Sequence, residues 1–595
     1  MTPSDVARPA GTARLADPRW TLFALIVGLL ALAASASSLR NGFTYDDRWI
    51  LVENARVHTL RPLWRYFEES YWPPRNGEGL YRPLAIVVYS VQWVAGAGTP
   101  LLFHVVNVML AVACAVSVFW VAGFIVPINA AFLAAAFFAV HPAHVEAVAN
   151  VVGQAELWTA LIVLLAFGLY ARDRRDGALR RETGVILCFL FTLGVFIKEH
   201  VIMLPALLVA AEVLLYRDGT VWRRLDRLRL LLWPLAALVA AYLMIRVRVI
   251  GDVGGDTVHP VLAGTTVLGR AFMMLNVLPE WGRLLLWPAR LYADYSPQHL
   301  LVYPSPDPSQ LAGAVLLVSA MALGALSVRR APPVAFGLVW FVLLIAPVSN
   351  VLIPTGILMA ERTLYLPSVG ALVVAAYGVT LASARLRADR SPMRRAVPVL
   401  CAGALVAGVA RSSVRNGFWH DSDSAFAQMV DDAPLNFKAH YAHGGQLFER
   451  GKNAQGELEW RIAIILMPNL PYVYVDLAQK YRSSHLCPAA IPLYERALEL
   501  KADFAVASIF LADCHLELAQ WHKARRVARI GRSFGVERRA FRFAIERADS
   551  ALAATDSIDP TIGGKWLRGR RPSIESARST ASNRFLRENA GGRTP

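Results

Sequence analysis

The chain has 595 residues, of which 55% are hydrophobic and only 18% charged, and its mean hydropathy of +0.41 lies well above that of a soluble globular protein. The net charge is nevertheless +17. In a polytopic membrane protein such an excess belongs on cytoplasmic loops, so the balance argues against a soluble enzyme and offers no reason to invoke nucleic acid. Cys114, Cys188 and Cys401 lie in apolar runs, where a thiol is a small hydrophobe. Cys487 and Cys514 lie further on and can pair only if that region faces an oxidising compartment, which the sequence does not decide.

Residues 1–19 are polar and mildly basic and are expected to be a cytoplasmic tail. The apolar run Trp20 to Leu39 is long enough to cross a bilayer. It carries Ala34-Ser35-Ala36, which resembles a signal-peptidase site, but its length and the acidic loop after it favour an uncleaved anchor. Apolar runs recur at about 101–122, 128–142, 155–171, 184–198, 201–216, 229–246, 310–328, 334–350, 367–383 and 396–411. With the first, that makes about eleven crossings by length. A further segment, 268–289, is broken by Pro279-Glu280-Trp281 and ends at Trp287-Pro288. Arginine clusters at 172–181, 217–229, 329–330 and 385–395 all fall on one side, expected to be cytoplasmic, if the N-terminus is cytoplasmic and 268–289 lies at the interface. The expected fold is therefore all-α: a polytopic membrane domain over 20–411, with a first outer loop at 40–100 and an interfacial segment at 268–296.

After Arg411 the chain repeats at a spacing of 34 residues, the period of tetratricopeptide helix pairs. Small residues recur at Gly444, Ala478 and Ala512, at Gly456, Ala490 and Ala524, and at Ala463, Ala497 and Gly531. Trp460 and Tyr494 share an aromatic position, where the third unit has Ala528 and is expected to cap the array. Repeats are expected over 433–540, followed by a basic, disordered tail at 552–595.

The same parity gathers the polar groups on the outer face. Asp46 and Asp47 directly follow the first crossing; the ordinary reading of two such carboxylates is a solvated turn. His141-Pro142-Ala143-His144-Val145-Glu146, with Gln154 and Glu156 beyond, closes the third run. His-x-x-His with a nearby Glu suits a divalent metal, but no third ligand is fixed, and lining a site through hydrogen bonds is the alternative, as is helix capping. No metal site and no cofactor is assigned. Lys198-Glu199 reads either as an ion pair at a helix end or as part of a site. Arg82 and Arg362, the latter after Glu361, are the cations best placed for a phosphate, against plain interfacial snorkelling. Arg246 and Arg248 share that ambiguity.

Further stretches stand in order along the chain: Phe43-Thr44-Tyr45-Asp46-Asp47, Tyr81-Arg82-Pro83-Leu84, Phe103-His104-Val105-Val106-Asn107, the His141 stretch through Ala149, Val152-Gly153-Gln154-Ala155-Glu156-Leu157, Lys198-Glu199 and Ala360-Glu361-Arg362-Thr363-Leu364-Tyr365-Leu366-Pro367-Ser368-Val369-Gly370. Together they resemble the transmembrane and tetratricopeptide-repeat-containing O-mannosyltransferases, type-C glycosyltransferases. Residues 268–296, with Asp294-Tyr295-Ser296, resemble that family's domain of unknown function. The resemblance spans about 20–540. It implies a polyprenyl-phosphate sugar donor, an exported or membrane protein acceptor and an acidic catalytic residue in the first outer loop. Gln154 departs from the family, which often has Arg there, and the repeats are few. The Ala- and Arg-rich composition points to a bacterial inner membrane.

The chemistry stands beside the resemblance. Transfer from a lipid-phosphate sugar to Ser or Thr needs a base for the hydroxyl proton and cations for the departing phosphate. Asp46 or Asp47 would be the base. Whichever is less solvated would have the raised pKa a base needs, since two like charges side by side disfavour double ionisation, and Asp46 is the one preferred. Arg82, His141, His144, Glu146, Lys198, Glu199, Glu361 and Arg362 would bind the donor. The repeats would select the acceptor. The rival readings are a membrane-anchored repeat scaffold without catalysis and a transporter; the latter calls for polar groups at mid-membrane.

Overall fold

The computed structural model describes residues 18–73, 79–177, 179–252, 258–295, 307–388, 392–535 and 537–556. Among them all regular structure is helical, so the all-α class is the one observed. Residues 1–456 and 457–595 form two compact units. Nearly all of the expected cytoplasmic tail, Ser296, and the basic tail beyond 556 lie outside the described residues.

Every one of the eleven apolar runs is a helix, because an apolar segment without water must satisfy its peptide groups internally. By length and apolarity seven are full spans: Pro18–Arg40, Pro100–Ile125, Val151–Asp176, Val221–Ile250, Pro308–Arg330, Ser368–Ala388 and Ala396–Trp419. The pair Ile128–Val140 and Pro142–Ala149, bent by 54°, makes an eighth if counted as one. Arg181–Ile197, Leu204–Leu214 and Pro332–Ile345 are shorter. Length alone therefore gives seven or eight spans, fewer than the eleven runs. The protein is an integral membrane protein.

Contacts between helix ends, together with the short connections between neighbouring helices, set the helix directions in the first unit. Asn41 Nδ2 donates to the Asn416 carbonyl at 3.0 Å, which joins the C-terminal ends of the first and last spans. His104, at the start of Pro100–Ile125, lies 3.2 Å from the Gly42 carbonyl at that same end. At the opposite end Arg174 and Arg224 meet Glu212, and Arg217 Nη2 donates to the Val328 carbonyl at 2.7 Å. Taken through these ties the eleven helices alternate in direction. Segment 268–289 does not join the alternation. It consists of Val267–Met273, Met274–Asn276 and Val277–Leu286, held at the first end where Arg270 Nε donates to the Asn350 carbonyl at 3.0 Å.

Two glycines in the motif stretches have packing reasons. A Cβ at Gly370 would stand 2.2 Å from the Gly337 carbonyl oxygen, so helices Pro332–Ile345 and Ser368–Ala388 cross backbone to backbone. A Cβ at Gly153 would meet the Ala147 carbonyl at 2.5 Å, inside the turn that leads into helix Gln154–Asp176.

The C-terminal helices keep the expected step. First helices begin at Phe437, Pro471 and Ala505, and second helices at Asn453, Cys487 and Trp521. Ala478, Ala490, Ala497, Ala512 and Ala524 are fully buried. A disulfide joins Cys487 to Cys514 across 5.2 Å between Cα atoms. A further helix, Arg538–Asp556, runs past the expected repeat boundary at 540. Its Phe541 fills the space over Gly531 and Ala528, so this helix, rather than the third repeat, covers the end of the array.

Candidate active site

The loop after the first span is anchored on the last one. Gly42 N donates to the His420 carbonyl at 2.7 Å and Thr44 Oγ1 to that of Trp419 at 3.0 Å. Tyr45 then adopts φ +60, a left-handed conformation uncommon for a tyrosine, with its ring against Trp419 and Phe426. The two carboxylates that follow part company. Asp47 is fully buried. It accepts backbone N–H groups from Thr44 at 3.0 Å, Val151 at 3.3 Å and Val152 at 2.8 Å. Burial pushes its carboxyl up to about 7, against those three donors. Asp46 keeps 23% of its side chain exposed, and its Oδ2 lies 3.7 Å from Arg362 Nη2. Burial raises its pKa too, opposed by the Arg362 and Lys438 cations. The less solvated carboxylate is thus Asp47, so the solvation criterion favours Asp47 over the preferred Asp46. Against it, Asp47 is engaged by three backbone N–H groups in holding the loop to the start of helix Gln154–Asp176.

Arg362 is fixed from behind. Glu146, 1% exposed, accepts the Arg362 backbone N–H at 2.8 Å and also its Nη1. Glu361 points elsewhere: it is buried and accepts from Tyr292 N at 2.5 Å and Tyr295 Oη at 3.0 Å, and burial lifts it to about 8. It therefore braces the 267–295 segment and does not face Asp46.

Lys198 and Glu199, neighbours in sequence, do not pair with each other. Lys198 Nζ meets Glu156, whereas Arg82 grips Glu199 through Nε at 3.1 Å and Nη2 at 2.6 Å. Burial alone would raise Glu199, but Arg82 outweighs it and holds the carboxyl well below its usual range. Both ring nitrogens of buried His200 lack a hydrogen-bond partner among the described residues.

The histidines are engaged structurally. His141 Nε2 lies 3.2 Å from the Leu285 carbonyl, and His144 bridges the Phe138 carbonyl and Ser368 Oγ, each at 2.9 Å. Among the described residues no group of three or more His, Cys, Asp or Glu is placed to hold a metal. Gln154 is buried between Gln92 and Asn107, at 2.7 and 2.6 Å.

Two partners were not read from the sequence. Asp294 accepts from Lys438 Nζ at 3.0 Å and Asn436 Nδ2 at 3.1 Å, and its charge acts on Asp46. Asp294 stood in a stretch noticed for its resemblance. Lys438, at the start of the first repeat helix, carried no signal of its own.

No family model matches the chain. The chain is 28% identical over 483 residues to "Protein O-mannosyl-transferase TMTC4" of Homo sapiens, covering 72% of this chain and 64% of that protein. It is 25% identical over 503 residues to "Protein O-mannosyl-transferase TMTC3" of Mus musculus (79% and 54%), and 28% over 549 residues to "Protein O-mannosyl-transferase Tmtc1" of Drosophila melanogaster (75% and 62%). It thus spans about half to two thirds of the length of these relatives. Among solved structures, the Archaeoglobus fulgidus oligosaccharyltransferase tethered with an acceptor peptide aligns at TM-score 0.38 and 12% identity, over 70% of this chain and 57% of that one. The resemblance carried by the motifs is borne out: the chain is a sequence relative of the transmembrane and tetratricopeptide-repeat-containing protein O-mannosyl-transferases.

Proposed function

We propose that the protein is a membrane glycosyltransferase that moves a hexose, mannose in the first instance, from a polyprenyl-phosphate donor to Ser or Thr hydroxyls of exported or membrane proteins. The observation that carries this reading is the placement of Asp46, partly exposed, 3.7 Å from an Arg362 already fixed by Glu146. A base and a cation side by side are what the transfer requires. The acceptor oxygen attacks the anomeric carbon and gives its proton to Asp46. The sugar–phosphate C–O bond breaks, and the phosphate leaves with the bonding pair toward Arg362. Arg82 and Lys198, each paired with a carboxylate, would form a second cationic group at the same end of the bundle.

The proposed orientation has a cytoplasmic N-terminus, eleven crossings, and the Asp46 loop and the repeats outside. The alternation of the helices supports it, as does the Cys487–Cys514 disulfide, which persists in oxidising compartments. A bacterial inner membrane rests on the composition, and selection of the acceptor on the concave surfaces such repeats form. Incubating the purified protein with labelled polyprenyl-phosphate hexoses and envelope proteins tests the reading. Labelled protein from one donor is expected; no labelled protein from any donor would return the chain to the scaffold reading.

A further inference from the structure

The end of the bundle opposite Asp46 holds a second polar feature. Helix Gln154–Asp176 starts at the candidate site and ends roughly 33 Å away, at 1.5 Å per residue. There it meets a cavity of about 560 Å³. Helices Arg181–Ile197, Leu204–Leu214 and Val221–Ile250 supply the other walls. The charged lining is five arginines, Arg174, Arg180, Arg181, Arg224 and Arg227, against the single acid Glu212.

Glu212 is already matched. Arg174 Nε lies 2.5 Å from its Oε1 and Arg224 Nε 3.6 Å from its Oε2, and the Tyr170 hydroxyl donates to it. The other three arginines stand at the rim. Arg180 and Arg227 have only exposed pairs, with Asp176 at 3.3 Å and Asp218 at 3.4 Å, of a kind that contributes little and exchanges readily. Arg181 is exposed and has no ion pair among the described residues. Around this rim the outward faces are apolar: Val185 is 70% exposed, Leu230 79% and Trp233 74%. A cationic recess beneath an apolar, tryptophan-bearing flank matches an anionic head group on a hydrocarbon chain.

We propose that this cavity binds a lipid phosphate, its head group against Arg181 and Arg227 and its chain along the Val185–Leu230 flank. The site is separate from the Asp46 cluster and does not depend on the reaction proposed there.

Native mass spectrometry of the full-length, delipidated protein tests it, with phosphatidylglycerol, phosphatidylcholine and a polyprenyl phosphate as probes. Phosphatidylglycerol should be retained about tenfold or more over phosphatidylcholine, and Arg181→Glu/Arg227→Glu should abolish that preference. Arg181→Gln/Arg227→Gln gives the same loss with less charge change, should the first variant fail to fold. Arg385→Glu/Arg387→Glu, in another exposed basic cluster, should keep the preference. Displacement of phosphatidylglycerol by the polyprenyl phosphate assigns the cavity to an isoprenoid carrier; failure to displace it assigns the cavity to bilayer phospholipid. Equal retention of the two glycerophospholipids by the native protein, or full retention by the rim variants, overturns the proposal.

Discussion

Asp46 Oδ2 and Arg362 Nη2 stand 3.7 Å apart, within ion-pair range but beyond a hydrogen bond. Glu146 takes the other side of the same guanidinium and the backbone N–H of Arg362. The cation is therefore positioned without Asp46, and among the described residues no N–H or O–H group donates to Asp46. A carboxylate left in this state retains lone pairs for an incoming proton. Asp47, with three backbone donors, has fewer of them open.

The adjacent carboxylates should accordingly fail in different ways. Asp46→Asn keeps the shape and removes the basicity, so turnover should fall by roughly a hundredfold or more, with thermal unfolding shifted by less than about 0.5 kcal/mol. Asp47→Asn turns an amide group toward backbone donors and should cost about 1–3 kcal/mol of stability. Measuring transfer rate and unfolding on both variants decides it. Lost turnover with unchanged unfolding in Asp47→Asn would reverse the assignment.

Arg362 should matter both before and during transfer. Arg362→Lys keeps the charge but loses the planar fork, so donor affinity and turnover should both drop, by roughly tenfold each. Glu146→Gln leaves the cation in place but loosens its hold, so turnover should fall more than donor affinity. Donor binding measured apart from turnover separates the two effects. Native affinity in Arg362→Lys would remove the phosphate role.

Helices and their polar end were legible because apolar runs and arginine clusters are one-dimensional signals. Pairings were not, since they depend on backbone direction. Lys198 and Glu199 read either as an ion pair or as part of a site, and the backbone rules out the pair: Lys198 has φ −160 and ψ 138. Such extended backbone sends successive side chains to opposite sides, one to Glu156 and one to Arg82. Glu361 and Arg362 likewise diverge, the first to Tyr292 and Tyr295, the second to Glu146 and Asp46. Helix lengths are less legible where an apolar run continues through a 3-10 turn, as at Glu199–Met203 ahead of Leu204–Leu214. The repeat step needed no partner information at all.

Glu361 predicts a dependence of stability on pH. Its folded value of about 8 lies above the usual 4.5, so the folded state holds the proton more tightly than the unfolded chain. Its contribution is therefore full below about pH 4.5, falls as pH rises, and is lost above about 8. Glu361→Gln stays neutral and can still accept from Tyr292 and Tyr295. The variant should lose this part of the slope, on the order of a few kcal/mol at most. Unfolding temperatures of both proteins between pH 5 and 9 check it, and parallel curves would show that Glu361 is ionised in the fold.

The Cys487–Cys514 disulfide closes a span of 27 residues within the second unit. Cross-linking a loop of that size restricts the unfolded chain enough to contribute about 3–4 kcal/mol in the chain-entropy account. Both cysteines are buried in one apolar cluster with Ala478, Ala490 and Ala507 and the larger Tyr474, Tyr494 and Leu511. Serine at both positions should leave the helices formed, because hydroxyls of nearly the same size fill the space, while lowering the unfolding midpoint of this unit. Reductant should shift the native protein and leave the double serine variant unmoved. The same experiment bears on orientation. Thiol labelling of the protein taken directly from its own membrane should find Cys487 and Cys514 blocked until reduction. Free thiols there would place the repeats in a reducing compartment and invert the proposed topology.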